Sequence, residues 1–139
     1  MEKEFVSYKT ALALKELGFD EPCFGYYDTV AVSYLTYPSA INKNSDIENS
    51  LSISKQDKNV RCSAPLYQQA FRWFREKHGL IGQPIPLSIS YPGKVTHYGW
   101  SIVSNQNTND WENEDDGFKT YEESESACLD KLIEIVKKK

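Results

Sequence analysis

The stretch "IPLSISYPGKVTHYGWSIVS", residues 85–104, carries the strongest structural pattern in the chain. Apolar and polar residues alternate in "IPLSISY" (85–91) and in "HYGWSIVS" (97–104), as they do in strands with one buried face. Pro92 and Gly93 lie between them, a pair that is typical of turns. The pattern predicts an antiparallel hairpin. We expect one apolar row on each strand, and the two rows to match: Ile85, Leu87, Ile89 and Tyr91 against Tyr98, Trp100 and Ile102.

The C-terminal segment "TYEESESACLDKLIEIVKKK", residues 120–139, predicts an amphipathic helix that covers this sheet. Thr120 and Glu123 have the spacing of a capping box, and lysines in the last turn suit the helix dipole. The apolar residues fall on one side of a helical wheel. They are Tyr121, Cys128, Leu129, Leu132, Ile133, Ile135 and Val136.

A second helix is predicted within "CSAPLYQQAFRWFREKHGL", residues 62–80, beginning near residue 65. On a helical wheel its aromatic residues separate from its charged ones, so we interpret the aromatic side as core and the charged side as solvent-facing. The residues of the core side are Leu66, Tyr67, Ala70, Phe71, Trp73 and Phe74. The other side offers a polar contact surface for a partner, formed by Arg72 and Arg75 with Gln68 and Gln69.

The N-terminal part adds a helix and a short hairpin. In "SYKTALALKELGF" (7–19), Ser7 suits a helix cap and Gly18 suits the position after the last turn. "CFGYYDTVAVSYLTY" (23–37) predicts a hairpin with its reversal at Asp28 and Thr29. Residues 38–60 predict a long polar loop, in which "SLSIS" could add a brief strand.

The element order is therefore helix, hairpin, loop, helix, hairpin, helix. This order predicts the α+β class, with an antiparallel sheet from two hairpins packed with three helices. A chain of 139 residues has the usual size of one domain, so we expect a single domain over residues 1–139.

Bulk composition narrows the function classes. The net charge of −4 and the pI of about 5.2 weigh against a partner that is a polyanion. Three widely spaced cysteines without a Cys-x-x-Cys pair suit neither a disulfide framework nor a zinc site. No secretory signal follows "MEKEF", and no apolar run approaches the roughly 20 residues of a membrane span. We expect a cytoplasmic protein without membrane contact.

The acidic segment 110–117 can be tested against a calcium loop. With Gly117 as the sixth residue, acidic residues fall at positions one, three, five and twelve: Glu112, Glu114, Asp116 and Glu123. Lys119 occupies the eighth position, where an apolar residue is wanted, and Glu123 is already explained by the helix cap. We interpret the segment as a solvated acidic loop, and the sequence leaves cation binding open. Trp111 in this loop either packs on the core or is exposed for a partner.

Catalytic motifs are not found in the sequence. His78 and His97 stand outside any known motif, and a nucleophile pair assembled from one of them with Cys62 or Cys128 has no supporting pattern. Cys128 lies on the apolar side of its helix, where a buried structural thiol is the ordinary outcome. We expect a protein that is not an enzyme and has no cofactor.

A nucleic-acid-binding protein is the alternative. Bases of single strands stack on aromatic side chains that lie beside a basic groove. The strands supply such rings, namely Tyr26, Tyr27, Tyr34, Tyr98 and Trp100, but carry almost no Lys or Arg. Arg72 and Arg75 would have to supply the charge.

The second half of the chain, from "APLYQQAFRWFREKHGL" through "YGWSIV" to "FKTYEESESACLDKLIEIV", resembles small proteins encoded by bacterial phages and prophages, among them phage α-β-α sandwich proteins. The resemblance covers residues 64–136 and consists of an aromatic-rich helix, a hairpin with Trp and a final helix. It implies an α+β fold and a cytoplasmic setting, and assigns no catalytic residue. We therefore expect a non-enzymatic accessory protein whose partner is another protein, with Gln68, Arg72, Arg75 and Trp111 as its contact residues.

Overall fold

The computed structural model describes residues 2–27, 33–34, 43–45, 61–105, 110–113 and 116–139. The chain divides into two compact units, Met1–Gln69 and Ala70–Lys139. Its helices are α1 (Tyr8–Glu16), α2 (Tyr67–His78) and α3 (Tyr121–Lys137), after a 3₁₀ turn at Glu2–Glu4. Its strands are β1 (Gly25–Tyr27), β2 (Ser33–Tyr34), β3 (Cys62–Ala64), β4 (Leu80–Ser90), β5 (Lys94–Ser104) and β6 (Asp110–Glu112).

The predicted α+β class, with antiparallel hairpins and three helices, is confirmed. The described strands form two three-stranded sheets, in the orders β2-β1-β3 and β4-β5-β6. Among the helices in the described ranges, none has the length and apolarity that a membrane span requires. The single domain over residues 1–139 stays a prediction.

The first unit is built around β1. The predicted hairpin is confirmed, since Tyr26 pairs with Tyr34 and Tyr27 with Ser33, while its reversal at residues 28–29 lies outside the described residues. On its other side β1 pairs with β3, which brings Tyr27 opposite Cys62. The Tyr27 hydroxyl donates a hydrogen bond to the carbonyl of Val6. This bond joins the segment that precedes α1 to strand β1.

Helix α1 begins and ends where its sequence predicts. The Ser7 hydroxyl accepts a hydrogen bond from the Thr10 amide at 3.3 Å, which satisfies one of the free donors of the first turn. Gly18 follows the helix with a φ of +96°, a conformation that side-chain-bearing residues avoid.

Asn44 is the buried polar anchor of the first unit. Its side-chain amide donates to the carbonyl of Phe19 at 2.6 Å and accepts from the amide of Ser63 at 2.8 Å. The residue is only 5% exposed, and both hydrogen bonds are buried. Within the predicted polar loop 38–60 the structure describes residues 43–45, and "SLSIS" lies outside the described residues.

In the second unit, α3 covers one face of the β4-β5-β6 sheet. The Thr120 hydroxyl accepts from the Glu123 amide at 3.2 Å, as the capping spacing predicts. Cys128, Leu129 and Leu132 of the helix are fully buried. A Cβ placed on Gly82 of β4 would lie 3.0 Å from the Cys128 sulfur and 3.0 Å from Leu132 Cδ1. A side chain at this position of β4 would therefore require Cys128 and Leu132 to move by a few tenths of an ångström.

The register of the second hairpin corrects the predicted apolar rows. Strand β4 begins at Leu80, and the residues opposite Ile102, Trp100 and Tyr98 are Gly82, Pro84 and Pro86. Since cross-strand partners share a face, the predicted match with Ile85, Leu87, Ile89 and Tyr91 is wrong. The register shifts between Pro86 and Ser88 and again before Ile89. Such irregularities change which residues face each other, and the alternating pattern of one strand does not reveal them.

Replacement of Gly82 by Ala should destabilise the second unit by about 1–3 kcal/mol, because the new methyl group overpacks the contact with α3. Cys128→Ala removes one of the two opposing atoms and should relieve part of this cost. Urea unfolding of both single variants and the double variant measures the coupling, which we expect to exceed about 0.5 kcal/mol. Additive effects would contradict the close approach at Gly82.

Replacement of Asn44 by Ala should lower the free energy of unfolding by about 2–4 kcal/mol, because it removes two buried hydrogen bonds to the backbone. Lys43→Ala, at the neighbouring and more accessible position, is the matched control and should change it by less than about 0.5 kcal/mol. Denaturation followed by circular dichroism measures both. Equal stability of the two variants would show that Asn44 is not an anchor.

Candidate functional site

A cleft of about 420 Å³ lies in the second unit, beside the edge strand β6. Three aromatic rings, two carboxylates, an amide and an amine line it: Trp100, Trp111, Phe118, Asp110, Glu112, Asn113 and Lys131. The residues come from β5, from β6 and the segment after it, and from α3. Its volume falls in the range of small-ligand sites.

Hydrogen bonds to β5 hold the wall of this cleft. The side-chain oxygen of Asn113 accepts a hydrogen bond from the backbone amide of Trp100 at 2.9 Å. The backbone amide of Asn113 donates to the backbone carbonyl of Trp100 at 3.3 Å. Further along, Tyr98 and Phe118 exchange two backbone hydrogen bonds of 2.7 Å each. These bonds place Phe118 next to the sheet although it lies outside the named strands.

The aromatic residues of the cleft differ in burial. Trp100 is 9% exposed and belongs to the core, whereas Trp111 and Phe118 are half-buried. Trp111 pairs with Ile102 across β5 and β6, so it both covers the core and lines the cleft. Trp111 therefore packs on the core and also keeps part of its surface accessible, so both alternatives considered for it apply.

Two carboxylates and one ammonium group are found among the described lining residues of the cleft. Asp110 and Glu112 are exposed, while the ammonium group of Lys131 lies 3.2 Å from Glu134 Oε1. Hydrogen bonds from Lys138 and then from Lys131 lower the pKa of Glu134, so this carboxylate is ionised at neutral pH. Glu134 also pairs with Lys138 at 2.7 Å, so this one carboxylate is shared by two ammonium groups.

The predicted contact residues of α2 lie on its solvent side. Gln68, Arg72 and Arg75 are exposed, whereas Ala70, Trp73 and Phe74 are buried. The interpretation of the aromatic side as core is therefore confirmed for these buried residues. The role of Gln68, Arg72, Arg75 and Trp111 as an interaction surface stays a prediction.

The structure describes only some of the residues that a calcium loop would use as ligands. Glu112 lies in β6, Asp116 is exposed, and Glu123 lies in the first turn of α3, while Glu114 is outside the described residues. In the described part of the chain, no three His, Cys, Asp or Glu side chains gather as metal ligands would.

The three cysteines are buried and form no disulfide. Burial raises the pKa of Cys23, Cys62 and Cys128 to about 12. Burial, followed by the nearby charge of Lys139, lowers the pKa of His78, whose ring packs 4.9 Å from that of Trp73. A thiol needs the thiolate form to act as a nucleophile, so these environments suppress the chemistry that a Cys-His pair requires.

Some of the aromatic rings that the nucleic-acid alternative requires for base stacking are buried in the core. Tyr27 and Trp100 are buried, and the half-buried Tyr98 packs edge-on against Tyr121 with ring centroids 5.8 Å apart. The side chain of Tyr34 lies outside the described residues. A base could not stack on Tyr27 or Trp100 without disrupting the fold.

A second feature, which the sequence prediction missed, is the end of the β4-β5 hairpin. We define the hairpin tip as residues 87–95. Leu87, Ile89 and Tyr91 are 40%, 64% and 99% exposed, respectively. The alternating pattern gave no signal for it, because periodicity does not reveal which apolar residues of a strand a helix will cover.

Comparison of the chain with family models, with curated proteins and with solved structures finds no match. The similarity to phage-encoded proteins over residues 64–136 stays a prediction. Function therefore has to be inferred from the side chains of this chain.

The native thiols should react very slowly with Ellman's reagent at pH 8, because a pKa of about 12 leaves a thiolate fraction of about 10⁻⁴. After unfolding in urea, all three thiols should react quickly, since an exposed thiol has a pKa of about 8.5. The absorbance of the released thiolate measures both. One rapidly reacting thiol in the native protein would contradict the burial, and single Cys→Ser variants would identify it.

Proposed function

We propose that this chain is a small, non-enzymatic, cytoplasmic accessory protein of phage or prophage type that binds another protein through the hairpin tip. The observation that carries the proposal is the exposure of three apolar side chains there, which reaches 99% at Tyr91. Soluble proteins expose single apolar residues routinely, but a group of them on one projecting element is typical of a contact site.

The packing of α3 explains why the tip is uncovered. The helix begins at Tyr121, whose ring contacts Tyr98, and Tyr98 pairs with Pro86. Residues 87–95 therefore extend the hairpin beyond the first residue of the helix. Residues 87–94 are all exposed.

The chemistry of the tip suits a protein partner. Tyrosine combines a large apolar ring with a polar end, and it is enriched among the residues that dominate binding energies. Leu87 lies over Gly99 and Gly117, since a Cβ on either glycine would meet its Cδ1 at 2.7 Å. Ile89 and Tyr91 project further and alternate with Ser88 and Ser90. A small apolar knob with polar neighbours fits a groove on another protein.

The non-enzymatic part of the proposal rests on the sequence, which contains no catalytic motif, and on the thiols, whose raised pKa weakens them as nucleophiles. The cytoplasmic setting agrees with buried thiols that form no disulfide.

Nucleic-acid binding is the second candidate, and one observation favours it. Arg72 and Arg75 are both exposed on α2, where they could contact phosphates. Such binding would weaken steeply with salt, whereas binding through an apolar tip would not.

The experiment is an affinity pull-down from host lysate, with and without nuclease, read by mass spectrometry. It compares the wild-type protein with the tip variant Ile89→Ser/Tyr91→Ser and with the control variant Arg72→Ser/Arg75→Ser. Both variants replace exposed side chains, so each should change the free energy of unfolding by less than about 0.5 kcal/mol.

We expect one nuclease-resistant partner that the tip variant loses by at least about tenfold, because loss of an aromatic anchor costs about 2 kcal/mol or more. The control variant should retain it. Retention of the partner by the tip variant would refute the role of the tip. Partners that disappear with nuclease and with the Arg72→Ser/Arg75→Ser variant would instead favour nucleic acid. Sedimentation of the purified protein should show a monomer, and tip-dependent self-association would make a second copy the partner.

A further inference from the structure

The C-terminal end of α3 lies at the start of β4. The ring of Tyr121, the first residue of the helix, contacts that of Tyr98, whose partner in β4 is Pro86. Further along the helix, Leu132 lies next to Gly82, which precedes Pro86 in the same strand. Helix α3 therefore runs antiparallel to β4, and its last turn extends past Gly82 toward the first residue of the strand.

Helix α2 ends at the same place, because only Gly79 separates its last residue, His78, from β4. Burial lowers the pKa of His78, and the positive charge of Lys139 lowers it further. This effect of Lys139 on the imidazole agrees with the direction of α3. The C-terminal ends of the two helices are therefore neighbours.

The two helix ends carry six cationic side chains, which we define as the basic end surface. They are Arg72, Arg75 and Lys77 of α2, and Lys137, Lys138 and Lys139 at the end of α3. All six are exposed. Arg72 and Arg75 are three residues apart and therefore lie on the same side of α2.

Most of these cations have no carboxylate partner. Lys138 pairs with Glu134, which it shares with Lys131. Among the described residues, the other five members of the basic end surface form no ion pair, and Glu76 is the one acidic residue within α2. The chain has more acidic than basic residues, 20 against 16, so this local excess of positive charge is opposite to the net charge.

We infer that the basic end surface binds the sugar–phosphate backbone of a nucleic acid, an inference that rests on the second candidate function proposed above. Lys and Arg are the side chains that neutralise phosphates, and such contacts do not depend on the base sequence. The inference adds Lys77 and the end of α3 to the two arginines of α2.

The composition of the surface favours a phosphate backbone over an acidic protein. No large apolar residue is exposed between residues 71 and 78 or between residues 130 and 139, both of which the structure describes in full. The centre of a protein interface usually contains such residues, whereas binding to phosphates is mainly electrostatic. The positive groups also suit the negative ends of the two helix dipoles, so they gather there without ion pairs.

The test is a fluorescence polarisation titration of a fluorescein-labelled 20-base-pair DNA duplex of mixed sequence, repeated at several salt concentrations. We expect a dissociation constant on the order of 10–100 μM at about 50 mM NaCl. The logarithm of the association constant should fall with the logarithm of the salt concentration with a slope of about −3 to −5. A second duplex of unrelated sequence should bind equally, because the contacts are to phosphates.

Two charge reversals at opposite ends of α3 form a matched pair. Lys139→Glu lies in the basic end surface and should weaken binding by at least about fivefold and reduce the slope by about one. Lys119→Glu changes the charge by the same amount just before the first turn of α3, a helix of 17 residues and thus about 25 Å long. It should change the affinity by less than about twofold.

The outcomes separate the possible failures. No binding at about 25 mM NaCl and 300 μM protein would overturn both the second candidate function and this inference. Binding that Arg72→Ser/Arg75→Ser weakens and Lys139→Glu does not would retain the second candidate and overturn the shared surface. An equal effect of Lys119→Glu would also overturn it. Competition by polyglutamate as strong as that by unlabelled duplex would overturn the nucleic acid and favour an acidic polypeptide.

The hairpin tip is tested separately. The tip variant Ile89→Ser/Tyr91→Ser keeps all six cations, so it should bind the duplex as the wild type does. Loss of duplex binding by this variant would contradict the assignment to the basic end surface.

Discussion

The close approach of α3 to β4 at Gly82 is the constraint on which the second unit depends. Because no side chain separates them there, Cys128 and Leu132 reach the sheet directly. Trp100 and Ile102, which lie on the Gly82 face, are buried. The position of α3 also determines which residues of the β4-β5 hairpin the helix covers. The exposed tip is therefore a consequence of the same packing that forms the core.

The second consequence of this packing is the cleft. A three-residue edge strand has little stability by itself, and β6 is held by pairing with β5 and by the bonds of Asn113 to Trp100. Trp111 covers the core from this edge and leaves part of its surface accessible. Asp110 and Glu112 lie on either side of Trp111 along β6, and both are exposed.

The environments of the three cysteines and of His78 do not favour covalent chemistry. Each cysteine is buried, and its thiol is kept protonated by the loss of solvent. His78 packs among the rings of Trp73 and Phe74, and its Nε2 is buried without a hydrogen-bond partner among the described residues. The proposed contact through the hairpin tip needs no reactive side chain.

Local patterns in the sequence determined the helices, their caps and the existence of both hairpins, because a cap such as Ser7 or Thr120 needs only its own first turn. They also separated the core side of α2 from Arg72 and Arg75. The register of β4 on β5, the buried role of Asn44 and the cleft around Trp111 were decided by the tertiary structure. The role of Asn44 and the cleft join residues that are distant in the chain, and the register depends on an irregularity in strand pairing. The apolar periodicity of a single segment contains no information about distant contacts or about such irregularities.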